Sequence, residues 1–472
     1  MTLKYFKSHR QEVAVAVIII VGLAARLYNA DYNFDGDEVF SARLADNRLS
    51  EVIAQSLTDR PHPPLYYIML HFWISAFGTS EVAVRSLSVF FSGGFLVTSY
   101  ILLRYLVSQW AALGALLFLA ISPFFVYYGL QARPYSLIAF LSSVNLLMYM
   151  RFMERASDRR RLIIWAVSCA LLIYSQYLAA LVIGLEILVA LMYLPSGRLR
   201  MAAFGAGAVL CIVPWVMACM GSSFRTGTDP LGQVSWITEP NLRGFTWFYV
   251  SLFGEVPSLR VAWLAIMLVA LTAPYAISVI RRETLPFKPV FFVMAAVGIP
   301  VFCYLISVWG PKPVFVGRQM IAAGLSVFLV IALCLEALPR TVAAGFTGAL
   351  ALWMAVSLPG AFPQNSKPPW REAARAIDAR YGSVDVFTEE EWVNLPLGYY
   401  RRKGHVLLWD KAVGQNKHNT IVAICRPFDC LDFESGVLAS RRSLVATWSN
   451  VTEAQDHLGT RTLHLYEIAA SP

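Results

Sequence analysis

Long apolar runs recur along the first 358 residues of the chain and then stop. Stretches near the roughly 20 residues that a helix needs to cross a bilayer repeat between residues 12 and 358, and residues 359–472 contain none. The pattern predicts about eleven membrane-spanning helices, at residues 11–28, 82–103, 110–128, 134–152, 162–176, 178–194, 201–220, 260–280, 289–309, 320–337 and 341–358. We therefore expect an all-α polytopic membrane domain over residues 1–358.

Basic residues cluster in alternate short loops, which indicates how the helices are oriented. The positive-inside rule assigns such loops to the cytoplasm. They contain Lys4, Lys7, Arg10, Arg104, Arg151 to Arg161, Arg198, Arg200, Arg281, Arg282, Lys288 and Arg340. The amino terminus is then inside, and residues 29–81, 129–133, 221–259, 310–319 and 359–472 are outside. Residues 63–77 are apolar but short for a span, so we predict a helix lying on the outer membrane surface.

The last part of the chain has the pattern of a small soluble domain. Trp370–Tyr381 has amphipathic helical spacing, whereas residues 405–409, 420–424, 444–447 and 462–468 alternate as strands do. We expect residues 359–472 to form a soluble α/β accessory domain on the same side as the first outer loop, residues 29–81.

Composition and charge exclude a soluble enzyme and a nucleic-acid partner. Of 472 residues, 57% are hydrophobic and 15% charged, and the mean hydropathy is +0.56, more apolar than a soluble protein of this size. Residues 359–472 hold 13 Lys or Arg against 13 Asp or Glu, so the net charge of +9 falls on the membrane part. This excess indicates membrane lipids as partners. The first apolar run lacks a small-residue cleavage site, which predicts an anchor and not a signal peptide.

Candidate chemistry begins in the first outer loop. Asp35, Asp37 and Glu38 place three carboxylates within four residues, directly after the first span. An acidic cluster beside a low-dielectric layer suits a general base or a cation ligand, although a solvated turn is the alternative. His62 follows in the same loop, before Pro63 and Pro64, where an imidazole can donate to a phosphate, bind a metal or be merely solvated.

An ordered set of motifs resembles the GT-C superfamily of integral-membrane glycosyltransferases. The set comprises Asp37-Glu38, His62-Pro63-Pro64-Leu65-Tyr66-Tyr67, Phe77-Gly78 with Arg85, Ser122-Pro123, Gln131-Ala132-Arg133-Pro134-Tyr135 and Tyr174-Ser175-Gln176-Tyr177. It is most similar to the bacterial branch related to protein O-mannosyltransferases, aminoarabinose transferases and Rgt-type galacturonosyltransferases. The likeness covers about the first 200 residues, returns at Arg318 and Trp370, and is weak between them.

The resemblance implies an enzyme of the bacterial inner membrane. Members take a sugar from a polyprenyl-phosphate carrier on the extracytoplasmic face and pass it to a hydroxyl of a lipid, glycan or protein. Asp37 matches the acid proposed to deprotonate the acceptor in an inverting reaction, and Glu38 is the second acid of that pair. The sequence leaves a divalent metal at this loop open and indicates no other cofactor.

The departing lipid phosphate needs cations, and the predicted outer face offers four candidates. They are His62, Arg133, Lys312 and Arg318, with Tyr135 beside Arg133 in the same motif. Arg318 fits the family's arginine at the start of a span, but Gln319 follows where relatives usually have tyrosine. The alternative for Arg318 and Lys312 is snorkelling to lipid headgroups.

Other polar positions have weaker interpretations. Relatives often carry histidine where this chain has Gln176, which makes a metal role there less favoured. Glu186 is the one acid deep in a predicted span, where it serves function or bonds a neighbouring helix, and we favour the bond. Residues 221–259 mix aromatic and charged side chains typical of sugar recognition, a lid or a membrane-surface loop; the acceptor candidates are Arg225, Trp236 and Arg243.

The cysteines and the rival functions complete the expectations. Cys425 and Cys430, separated by a turn-like stretch, are a candidate disulfide if the tail faces an oxidising periplasm. A flippase of lipid-linked sugars is the main rival function, and a non-catalytic scaffold of an envelope-glycan complex is the third. A transporter is expected to have broken helices and inverted halves, and the sequence indicates neither.

Overall fold

The structure is a computed structural model. It describes residues 2–57, 62–227, 237, 239–254, 265, 268–269, 272–273, 276–277, 286–310, 312–388, 391–408, 421–425, 442–449 and 462–468. The chain divides into two compact units: the first contains residues 1–28, 44–78 and 83–360, and the second contains residues 29–43, 79–82 and 361–472.

Helices make up nearly all of the described residues before residue 361. We number them α1 Thr2–Leu27, α2 Gly36–Ala45, α3 Leu49–Ser56, α4 Leu65–Phe77, α5 Glu81–Leu106, α6 Gln109–Ile121, α7 Pro123–Leu130, α8 Tyr135–Glu154, α9 Arg159–Ile173, α10 Ala179–Tyr193, α11 Arg198–Leu210, α12 Val213–Thr226, α13 Leu242–Phe253, α14 Phe287–Val293, α15 Ile299–Trp309, α16 Ile321–Ala337 and α17 Arg340–Ser357. A π-helical turn, Met294–Gly298, joins α14 to α15.

The helical membrane architecture predicted from the sequence is confirmed. Within the described residues, five helices are long and apolar enough to cross a membrane: Glu81–Leu106, Tyr135–Glu154, Arg198–Arg225, Phe287–Trp309 and Arg340–Ala361. Shorter apolar helices cover Ala179–Tyr193 and Ile321–Ala337, and α4 occupies the segment predicted to lie on the membrane surface. The predicted span at residues 260–280 lies largely outside the described residues.

One predicted span is broken. Residues 110–128 form two helices, α6 and α7, bent by 53°, so the expectation of one continuous span, and of no broken helix, is wrong. The cause is local: Pro123 has no N–H to continue α6. It starts α7 instead, where the Ser122 side chain accepts a hydrogen bond from the Phe125 N–H.

A buried arginine stabilises this break. Arg26 of α1 is fully buried, and its guanidinium donates to the carbonyls of Gly22 at 2.8 Å, Ala120 at 2.8 Å and Leu119 at 3.3 Å. Two of these acceptors belong to the last turn of α6, where helical carbonyls lack partners. A Cβ atom added to Gly129 would lie 2.8 Å from Arg26 Nε. The lack of a side chain at Gly129 therefore allows α7 to pack this close to Arg26.

We expect Arg26→Met to destabilise the membrane domain. The substitution keeps an unbranched apolar chain but leaves the α6 carbonyls buried without a donor, at about 1–3 kcal/mol for each unsatisfied group. Unfolding of purified protein in mixed detergent micelles measures the loss, with Arg340→Met, at an exposed position, as the matched control. Equal stability of the two variants would contradict this role.

Glu186 illustrates how polar groups are accommodated between the helices. Trp165 Nε1 of α9 donates to Glu186 Oε2 at 2.9 Å, and the Tyr149 hydroxyl of α8 donates to the Glu186 carbonyl at 3.1 Å. The preferred interpretation, a hydrogen bond to a neighbouring helix, is confirmed. Glu186 thus ties α10 to both α8 and α9.

The second unit contains the predicted small α/β fold. Its helices are α18 Pro363–Ser366, α19 Trp370–Tyr381 and α20 Glu391–Tyr400, and its strands are β1 Val386–Thr388, β2 Val406–Leu408, β3 Ile421–Cys425, β4 Arg442–Ser449 and β5 Thr462–Ile468. The sheet order is β2-β1-β3-β5-β4. β1 pairs parallel with β2 and β3, whereas β5 pairs antiparallel with β3 and β4.

A small core explains why these elements pack together. Trp370 and Ile377 of α19 and Leu397 of α20 are buried in one hydrophobic cluster with Ile424 and Leu465 of the sheet. The predicted helix and four strands are confirmed, while β1 and α20 were not predicted. In the sequence, this core begins directly after residues that contact residues 31–38, as described below.

Candidate functional site

The acidic loop, which we define as residues 31–38, starts helix α2 with a reciprocal cap. The Glu38 N–H donates to Asp35 Oδ1 at 3.0 Å, and the Asp35 N–H donates to Glu38 Oε2 at 3.3 Å. Asp35 and Glu38 are three residues apart, the spacing of a capping box, and carboxylates at a helix amino terminus are further stabilised by the helix dipole. Two of the three clustered carboxylates therefore have a structural task.

A lysine from the second unit neutralises the same two carboxylates. Lys367 Nζ lies 3.0 Å from Asp35 Oδ2 and forms a second ion pair with Glu38 Oε2. Lys367 is 4% exposed and Glu38 is fully buried. Burial raises the pKa of Asp35, and the positive charge of Lys367 opposes that rise. Glu38 thus takes part in both the capping box and the ion pair. Its contact with the sugar donor stays a prediction.

Asp37 lies between these two acids in the first turn of α2. Its side chain is half-buried, and its backbone carbonyl accepts a hydrogen bond from Ser41 Oγ at 3.0 Å. Asp37 belongs to the second compact unit with Asp35, Glu38 and Lys367. Asp35 and Glu38 form the cap and the ion pair with Lys367.

The first unit holds a separate group, the cation cluster, which we define as His62, Arg133, Tyr135 and Arg318. His62 is 3% exposed, and its ring meets that of Tyr135 edge to face with centroids 5.7 Å apart. Burial, and then the charges of Arg133 and Arg318, lower the pKa of His62 well below its ordinary range. The structure therefore brings together four residues predicted at separate places in the sequence, with His62 neutral at pH 7.

Short turns hold the two arginines. Arg133 follows α7 in a turn closed by its N–H donating to the Gln131 carbonyl at 2.7 Å, and its guanidinium donates to the Tyr67 hydroxyl at 2.9 Å. Arg318 lies in a 3-10 turn, Gly317–Gln319. Gln176, which is buried, donates to the carbonyl of Gln319 at 2.8 Å. Gln176 and Gln319 both depart from the family pattern, and this hydrogen bond links the two positions.

His62 has unused hydrogen-bonding capacity. Within the part of the chain that the structure describes, its buried Nδ1 atom has no hydrogen-bond partner. A buried polar atom of this kind is costly unless a water or ligand satisfies it. Two guanidinium groups and an imidazole near one another suit an anion such as a phosphate, which arginine binds through its planar fork.

The remaining predicted site residues are Arg225, Trp236, Arg243, Lys312, Cys425 and Cys430. Arg225 at the end of α12 and Arg243 in the first turn of α13 are exposed, and Lys312 is half-buried. Trp236 and Cys430 lie outside the described residues, and Cys425 ends β3. The predicted disulfide is therefore not described.

No metal site is visible in the residues that the structure covers. Among them, no three His, Cys, Asp or Glu side chains are grouped so as to hold a metal ion. At the acidic loop the cation that contacts Asp35 and Glu38 is the Lys367 ammonium group. A role for a divalent metal stays open for experiment.

We expect His62 to make stability depend on pH. The pKa of His62 is depressed in the folded protein, whereas in an unfolded chain it is about 6.5. Near that pH the unfolded chain therefore binds a proton that the folded chain does not bind. Stability is then lost as pH falls below that value, at up to about 1.4 kcal/mol per pH unit. Unfolding at pH 7.5 and 5.5 measures the slope. His62→Gln is expected to flatten it and His71→Gln to retain it; an unchanged slope in His62→Gln would refute the assignment.

Comparisons with known proteins agree with this architecture. Residues 61–218 match the family model described as dolichyl-phosphate-mannose-protein mannosyltransferase, about a third of the chain. No curated protein matches the chain in sequence. The fold is similar to that of ArnT from Cupriavidus metallidurans in the apo state, with 13% identity and a TM-score of 0.61 over 97% of this chain and 98% of that one.

Two further structures show related folds. ArnT from the same organism bound to undecaprenyl phosphate gives a TM-score of 0.60 at 12% identity, over 96% of this chain and 97% of that chain. An Archaeoglobus fulgidus oligosaccharyltransferase tethered with an acceptor peptide gives 0.52 at 14% identity, over 86% and 64% of the respective chains. The matches confirm the predicted resemblance to the GT-C superfamily, near the protein O-mannosyltransferases and ArnT, in a multi-pass membrane protein with an ArnT-like fold.

Proposed function

We propose that the protein is a glycosyltransferase that moves a sugar from a polyprenyl-phosphate donor to a hydroxyl of a lipid, glycan or protein. The observation that carries the proposal is the cation cluster, in which His62 is buried and its pKa is lowered by burial and by the charges of Arg133 and Arg318. An undecaprenyl-phosphate group offers the anion that such a cluster recognises. The ArnT structure that shares the fold holds undecaprenyl phosphate, which supports a donor of this class.

The proposed reaction divides the work among the named side chains. Asp37 accepts the proton of the acceptor hydroxyl while that oxygen forms a bond to the anomeric carbon of the sugar. The bond from that carbon to the phosphate oxygen breaks, and the lipid phosphate leaves with the electron pair. Arg133, Arg318 and the N–H of His62 stabilise the charge that accumulates on it. A single displacement of this kind inverts the anomeric configuration.

A flippase for lipid-linked sugars is the rival that the broken helix pair α6 and α7 favours, because transporters often use broken helices. A flippase moves the donor across the bilayer without cleaving it, whereas the proposed enzyme releases polyprenyl phosphate. A non-catalytic scaffold does neither. The chemical fate of the donor therefore separates the three functions.

Reconstitution tests the proposal and identifies the sugar. Purified protein in vesicles is incubated with a panel of radiolabelled undecaprenyl-phosphate sugars and total envelope lipid, glycan and protein, with and without a chelator. Transfer of label from one donor supports the proposal, and the chelator arm decides whether a divalent metal takes part. Absence of transfer across the panel, with labelled donor crossing the bilayer intact, would instead support the flippase.

The orientation proposed from the basic loops puts the amino terminus in the cytoplasm and the tail in the periplasm of a bacterial inner membrane. Cys425 and Cys430 are the cysteines outside predicted spans, so an oxidising periplasm should pair them. A membrane-impermeant maleimide applied to intact cells should label neither before reduction and both after it. Labelling only after lysis would place the tail in the cytoplasm and reverse the orientation.

A further inference from the structure

Residues that follow the acidic loop in the chain by more than three hundred positions form hydrogen bonds to it. Asn33 Nδ2 donates to the Pro368 carbonyl at 2.9 Å, and the Phe34 N–H donates to the Tyr400 hydroxyl at 2.7 Å. Arg371 donates to the Asp31 carbonyl at 2.9 Å. These residues belong to the second compact unit, so the loop is part of the fold that the tail makes.

A second set of contacts fixes Arg371 and Tyr400, two of the residues that hold the acidic loop. Arg371 forms an ion pair with Glu81 at 2.5 Å, and the Tyr400 hydroxyl donates to the same carboxylate oxygen at 2.9 Å. The guanidinium of Arg371 also lies over the ring of Tyr400. The Tyr400 hydroxyl therefore accepts a hydrogen bond from the loop and donates one to Glu81 at once, which fixes the position of its oxygen.

Lys367 contacts two of the clustered carboxylates directly. It sits in extended backbone between α18 and the Pro368-Pro369 pair, whose fixed φ angles limit its main chain. Its ammonium is buried against Asp35 and Glu38, the two acids of the capping box.

We propose that the tail has a positioning function, and that Lys367 is its principal residue: by neutralising Asp35 and Glu38 it locks the cap of α2 and thereby fixes Asp37. The backbone of Asp37 lies within the capped turn, so its side chain starts from a position that the cap determines. Lys367 acts through the two acids and is not itself a catalytic residue. The link to catalysis rests on the proposed function, whereas the link to the loop does not.

Hydrogen exchange in the full-length protein tests the positioning function without an activity assay. Lys367→Met keeps the length of the side chain and removes the charge, and we expect protection of the amides of residues 34–39 to fall about tenfold. Protection of β5 should be retained. Arg375→Met, which removes an exposed cation from α19, is the matched control and should change neither region, while Lys367→Arg should restore most of the loop protection.

A double-substitution cycle distinguishes an ion pair from general destabilisation. Glu38→Gln removes one of the two acids that pair with Lys367, and Lys367→Met removes the charge that both acids share. Because the two substitutions break the same ion pair, the combined variant should lose less loop protection than the two single losses together predict. Strict additivity would overturn the proposal, as would unchanged loop protection in Lys367→Met. If Lys367→Met lowers the protection of β5 as well, a smaller than additive loss of loop protection in the combined variant still supports the proposal.

Activity then separates this inference from the proposed function. With the undecaprenyl-phosphate sugar that the wild type uses, Lys367→Met should lower kcat with little change in KM for the donor, because it disturbs the base and not the phosphate contacts. Loss of loop protection with normal kcat would remove the catalytic link but leave the positioning function. A wild type that transfers no sugar would refute the proposed function while the exchange results stand.

Discussion

Replacing Asp37 by Asn is expected to lower turnover by about 100-fold to 10,000-fold, the range attributed to general base catalysis. Asn keeps the size of the side chain and removes its basicity, while the cap formed by Asp35 and Glu38 remains. Donor binding should be largely kept, because the phosphate contacts are assigned to other residues. Steady-state kinetics and donor binding measured on the same preparation test both parts of the expectation.

A control for this substitution lies directly after the same helix. Asp46 follows the end of α2 and is exposed, so Asp46→Asn changes the same charge without touching the capped turn and should be neutral. Near-normal turnover of Asp37→Asn would move the role of base to Asp35 or Glu38. The structure makes that alternative less favourable, because both acids already contact Lys367.

Removing Arg133 or Arg318 is expected to have the second largest effect. Each guanidinium is proposed to stabilise the departing phosphate, and loss of one such group costs about 100-fold to 1,000-fold in turnover. Lysine should restore only part of the rate, because it lacks the bidentate fork. The assay compares donor affinity and turnover in Arg133→Ala, Arg318→Ala and their Lys counterparts.

Arg340→Ala, at an exposed position, controls for the loss of a basic side chain from the membrane domain. Normal donor binding and turnover in both Arg133→Ala and Arg318→Ala would mean that these arginines are headgroup anchors. The structure distinguishes the two in this respect. Arg133 is 4% exposed and bonded to Tyr67, which is unlike a snorkelling side chain, whereas Arg318 is half-buried.

Hydrophobic periodicity was sufficient to predict most of the helices, because crossing a bilayer demands long apolar runs. It failed at α6 and α7, since a bend changes the direction of a helix without changing its hydropathy. The local signal was Ser122-Pro123, an N-cap residue followed by proline at the first helical position. In the tail, the three-residue strand β1 was not predicted.

The candidate site was predictable in its parts and not in its assembly. The spacing of Asp35 and Glu38 signals a capping box, and the order of His62, Arg133 and Arg318 follows a family pattern. Sequence spacing carries no information on a partner 329 residues away, so Lys367 was not identified as the counter-ion of Glu38. The Gln176 bond to Gln319 was missed for the same reason, because it depends on tertiary packing.

The central claim is that this chain breaks the bond between a sugar and a polyprenyl phosphate. The most direct measurement is the release of undecaprenyl phosphate from a labelled undecaprenyl-phosphate sugar in vesicles containing wild-type protein or Asp37→Asn. We predict release equal to the sugar transferred in the wild type, and a fall of at least about 100-fold in the variant. Donor that crosses the bilayer intact, with no phosphate released by the wild type, would contradict the claim.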